Sequence, residues 1–84
     1  MQFSVEWIPL VDEGGRRITP APRSETIEAA RLEDLILSIA STDGWQMVGE
    51  ASIYHGNQAM LTIRKGQALT AVQVTADPFW RRPA

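Results

Sequence analysis

The sequence has no cysteine and a single histidine, and both shortages narrow its chemistry. Without thiols, neither a disulfide nor a thiolate metal site can reinforce the fold. One histidine with no cysteine or second histidine beside it does not make a metal site either. No run of about 18 apolar residues occurs, so no segment reads as a membrane-spanning helix. The opening Met-Gln-Phe-Ser-Val-Glu-Trp lacks a basic stretch followed by an apolar one. A signal peptide is therefore not expected, and the expected location is the cytoplasm. Charge of one sign is also missing: eight Lys and Arg against ten Asp and Glu give a net −2 at pH 7. That balance argues against a dedicated nucleic-acid binder.

What is present is material for one domain of 84 residues, near the size where a single core is only just sufficient. Packing has to supply the stability, and 44% hydrophobic residues with three tryptophans can do so, with self-association as a possible supplement.

The stretch from Leu32 to Trp45 organises the chain. Leu32, Leu35, Ile36 and Ile39 follow helical spacing, and burying each is worth roughly 1.5–3 kcal/mol. Ser24 or Thr26 can cap this helix, and Glu25 and Glu28 suit the positive end of its dipole, so the spacing predicts a helix over 26–41. Ile27 falls opposite the Leu32/Ile36 stripe, which makes the first turn irregular. Gly44 reads as a left-handed residue just past the helix, with Trp45 folding back onto Ile39 and Ala40.

On either side the period is two. Phe3, Val5 and Trp7 alternate with Gln2, Ser4 and Glu6, a half-buried strand that ends at Pro9 or runs on along an edge. Residues 12–23, with Gly14-Gly15, Pro20 and Pro22, read as a long loop. After Trp45, Met47, Ala51 and Ile53 share a face with Gly49, and Glu50, Ser52 and Tyr54 share the other. Gly56-Asn57 then signals a hairpin. Its return strand turns Ala59, Leu61 and Ile63 inward and Met60, Thr62 and Arg64 outward. A further strand over 69–76 separates Val72, Val74 and Ala76 from Ala71, Gln73 and Thr75, and residues 77–84 form an aromatic-basic tail. The expected fold class is α+β: one domain, an antiparallel sheet of three to four strands with one helix on one face, ordered β-α-β-β with room for a C-terminal strand. Ala59–Lys65 is expected inside the sheet.

This order is similar to a small bacterial family catalogued as domain of unknown function 4177. The residues that carry the likeness are Phe3 and Trp7, Leu32 to Ile39, Gly44-Trp45-Gln46-Met47-Val48, and Met60-Leu61-Thr62-Ile63-Arg64-Lys65, roughly residues 2–65. The chain departs from the family in its longer, Pro-rich first loop and in the extension from Gln67 to Ala84. The resemblance implies a helix on an antiparallel sheet and no activity.

No catalytic, cofactor or metal residues are expected. His55 beside Gly56 reads as a turn residue. Asp12-Glu13 and Glu33-Asp34 are adjacent carboxylate pairs, whereas acid–base work needs two carboxylates facing one cleft, and Glu33-Asp34 reads as a solvated face because neighbours on a helix point about 100° apart. Gly14-Gly15 lacks the lysine and the strand-to-helix setting of a phosphate loop, and no Gly-x-Ser-x-Gly occurs. Arg16-Arg17, Arg23, Arg64-Lys65 and Arg81-Arg82, with Tyr54, Phe79 and Trp80, offer a single-stranded nucleic-acid reading as the alternative. The expected function is a non-enzymatic interaction module that self-associates as a homodimer or docks on a larger protein, through Tyr54, Met60, Val72, Val74, Phe79 and Trp80. A small inhibitor of a host protein, encoded by a phage or mobile element, is a further alternative.

Overall fold

The computed structural model describes residues 2–42, 44–54 and 58–76. Six strands and one short helix follow in the order β1 Gln2–Val11, β2 Arg23–Glu28, α1 Leu32–Ala40, β3 Gln46–Met47, β4 Ser52–Tyr54, β5 Gln58–Lys65 and β6 Ala68–Ala76. All pairings are antiparallel, and the sheet runs β2-β1-β6-β5-β3 with β4 also on β5. This corrects the expected three- or four-stranded α+β domain: the chain is mostly antiparallel sheet, and the helix is a minor element.

The largest correction concerns residues 23–31. Arg23–Glu28 is not the start of the helix but an edge strand paired with β1, from Gln2↔Glu28 to Trp7↔Arg23. Ile27 explains why. It sits opposite Phe3 and packs partly buried against the core, a position a continuous helix could not give it. The helix begins only at Leu32, with Arg31 in extended conformation before it and no side-chain cap. Its buried residues are the four that the spacing identified, Leu32, Leu35, Ile36 and Ile39. The Arg31–Asp34 ion pair at 3.7 Å is too exposed to add much.

The expected loop over 12–23 is in part an extension of the β1–β2 hairpin. Asp12 Oδ1 accepts hydrogen bonds from the amides of Gly14 and Arg16, both at 2.9 Å, a local side-chain turn. Ile18 N–H donates to Leu10 C=O, and Val11 bridges Arg17. β1 continues through Pro9, and its register with β6 slips by one residue between Pro9 and Val11, the kind of bulge where strand prolines are tolerated.

β6 lies between β1 and β5, and its apolar phase must therefore match both neighbours. Val5↔Val74↔Ala59 and Trp7↔Val72↔Leu61 form rows on the helix side. Phe3, Val5, Val72 and Val74 are the largest fully buried side chains, and the helix stripe covers this face to complete the core. β5 is interior, as expected for Ala59–Lys65. The alternation read across Gln46–Tyr54 is broken into β3 and β4. Residues 48–51 face two residues of β5, since Met47 pairs with Ile63 and Ser52 with Met60. A two-residue slip preserves facing.

Gly44 has φ of 82°, but it is not the residue closing the helix. The helix ends at Ala40 with Ser41 as its C-cap, and Gly44 belongs to a turn in which Trp45 N–H donates to Thr42 C=O at 2.9 Å. Among the described residues, the nearest atoms a Cβ there would meet belong to the flexible Lys65 side chain, with Cε at 2.9 Å. Backbone strain therefore decides the cost, and Gly44→Ala is expected to destabilise the fold by about 1 kcal/mol in urea denaturation.

Candidate functional site

The residues expected to form an interaction surface are not brought together. Val72 and Val74 are fully buried on the helix side, so they are corrected from surface to core. Phe79, Trp80, His55, Arg81 and Arg82 lie outside the described residues, as does the Gly56-Asn57 turn. Tyr54 and Met60 are on the open face as expected, 46% and 41% exposed. They are diagonal neighbours there, since Tyr54 pairs with Gln58 and Ser52 with Met60. One row of that face, Ile8, Ala71 and Thr62, is mainly apolar, and the rest is mostly polar. Its rows run Thr26, Ser4, Thr75, Gln58 and Ser24, Glu6, Gln73, Met60, and a depression of about 290 Å³ lies over Ser4, Glu6, Ser24, Gln73 and Thr75.

Ile53 joins this surface from the other side. It continues the Val5–Val74–Ala59 row outward, but the helix does not cover the end of that row, and Ile53 is 50% exposed. Strand β4 thus presents apolar side chains on both faces of the sheet margin. Among the described residues its outer edge pairs with nothing. The opposite margin differs: β2 carries Arg23, Glu25 and Glu28 among its six residues, whereas β4 has no charge. Charged edge strands resist pairing with another chain, and uncharged apolar ones do not.

A second feature lies on the helix side, beyond the C-terminal end of α1. The helix is too short to roof the far rows of the sheet, and an open cleft of about 590 Å³ remains there. Among the described residues it is lined by Trp7, Pro9, Ile63 and Thr70 of the sheet, by Thr42 and Trp45 after the helix, and by Ala21 and Arg23. Trp45 also packs, partly buried, against the core that includes Ile39. Trp7 is held from two directions. Its Nε1–H donates to Glu25 Oε2 at 2.6 Å, and the Arg23 guanidinium lies 5.8 Å from its ring centroid. Trp7 and Trp45 were legible as packing residues. Their meeting at one cleft was not, because it depends on β6 lying between β1 and β5, and the strand at Arg23–Glu28 then brings Arg23 over Trp7.

Basic residues divide between faces: Arg23 and Lys65 are on the helix side, Arg64 on the open face, and Arg16 and Arg17 in the hairpin extension. Among the described residues no cluster of three or more His, Asp or Glu could hold a metal ion, and no helix is long and apolar enough to cross a membrane.

No protein-family model matches the chain, and no curated protein or solved structure matches it.

Proposed function

We propose that this chain is a non-enzymatic cytoplasmic binding module that docks on protein, with a second copy of itself as the first partner. The observation that supports this reading is the β4 margin, where Ile53 and Tyr54 are half exposed on opposite faces of an uncharged edge strand. Two such edges related by a two-fold axis pair their main chains and cover both side chains at once. Met60 extends the covered area on the open face. The small size of the domain adds a reason, because a dimer supplies burial that a single core of this length lacks. The likeness to domain of unknown function 4177 is likewise a proposal, and it assigns no activity.

Sedimentation at micromolar concentration tests the reading. A mass near twice 9.3 kDa is expected, returning to 9.3 kDa in Ile53→Lys and Tyr54→Lys. The melting temperature should rise with protein concentration in the unaltered chain and not in the two variants. A concentration-independent monomer would contradict self-association through this edge.

A further inference from the structure

The cleft beside α1 has the features of a ligand site that the edge-pairing proposal does not use. Its volume of about 590 Å³ lies within the range typical of small-molecule pockets, roughly 300–1,000 Å³. Two indoles, Trp7 and Trp45, line it, and among the described residues Arg23 is its one charged lining residue. Arg23 makes no ion pair among the described residues, and its guanidinium lies over the Trp7 ring. A guanidinium resting over an indole keeps its in-plane N–H donors free for a planar acceptor. Glu25 does not line the cleft. It is bound to Trp7 Nε1, and it lies one row further along the sheet, opposite Val5. Thr42 and Thr70 add hydroxyls to the lining.

We propose that this cleft binds a flat aromatic carboxylate, its ring packed on the indoles and its carboxylate paired with Arg23. The ring is specified by the two lining indoles, since stacked and edge-to-face contacts favour a flat partner over an aliphatic one. One guanidinium suits one planar carboxylate, which it meets through two parallel hydrogen bonds. A dianionic phosphate would leave a charge unbalanced, because among the described residues no second cation lines the cleft.

Naphthoate is the probe, titrated into the full chain while the indole N–H signals are followed by NMR. Saturable shifts at Trp7 and Trp45 are expected. Naphthylmethylammonium tests the charge, cyclohexanecarboxylate the ring and adenosine monophosphate the carboxylate, and each should bind at least about tenfold more weakly. Arg23→Gln should weaken naphthoate about tenfold, and Arg23→Lys should recover part of the loss. Arg23 is exposed, so both variants should keep the spectrum of the folded chain. Three results would overturn the site: no saturable shift, a shift confined to Trp80, or equal binding of the ammonium probe. Tighter binding of the monophosphate would overturn the carboxylate assignment. None of these measurements depends on whether the chain dimerises, so the two proposals fail separately.

Discussion

Phe3→Ala is expected to cost about 3–5 kcal/mol, among the largest effects of any single truncation in this chain. Phe3 is 1% exposed and stands in the cross-strand row between Ile27 and Ala76. Removing its ring deletes apolar burial and leaves a void bounded by three strands and the helix stripe, which cannot all move inward together. Domains are stable by roughly 0.05–0.15 kcal/mol per residue, so little would remain in one this small. Urea denaturation at fixed protein concentration would show the midpoint falling with the slope unchanged. Leu37→Ala is the matched control. Leu37 sits on the same helix as the core stripe but is 63% exposed, and its truncation should stay within about 0.5 kcal/mol. A similar loss at both positions would mean that the assigned core is wrong.

Val74→Asp is expected to abolish cooperative folding at neutral pH, whereas Gln73→Lys should leave stability within about 0.5 kcal/mol. The two positions are adjacent in β6 and point to opposite faces. Val74 is fully buried between Val5 and Ala59, where a carboxylate would have neither water nor a partner. Gln73 is exposed between Glu6 and Met60, and a lysine there would face a carboxylate. Thermal melts of both variants read the difference directly. A folded Val74→Asp chain would put the strand's apolar phase on the open face and contradict the central place of β6 in the sheet.

That phase is where sequence reasoning reached its limit. Alternation separated Val72, Val74 and Ala76 from Gln73 and Thr75 correctly, because period two is a local property. Which of the two sets meets the helix depends on where the strand sits. Placed at a margin, Val72 and Val74 could face outward; placed between β1 and β5, they must align with Trp7, Val5, Leu61 and Ala59. The strand at Arg23–Glu28 was hidden for a different reason. An edge strand needs little apolar surface, and Ser24, Glu25, Thr26 and Glu28 are also what a helix start looks like. Ile27 was the dissenting residue, since its position opposed the helix stripe. Pairing with β1 resolved that conflict in favour of sheet, a case of tertiary context overriding local propensity. Arg23 reaches the Trp7–Trp45 cleft through the same strand, because it is brought over Trp7 only when β2 pairs with β1. By contrast, the four helix core positions, the interior place of Ala59–Lys65 and the positive φ of Gly44 were legible, each set by local pattern or backbone sterics.

The absence of cysteine makes the proposed edge pairing directly measurable, since Ile53→Cys would introduce the chain's only thiol. Ile53 is the central residue of β4. In an antiparallel pair of β4 strands about a two-fold axis, the two copies of this position face each other at about 4.5–5.5 Å between Cα atoms, within disulfide reach. Mild oxidation at micromolar concentration should convert Ile53→Cys to a covalent dimer within minutes, and Leu37→Cys, more exposed but on the helix, should stay monomeric over the same period. Crosslinking at equal slow rates in both variants, or in neither, would contradict self-association through the β4 edge.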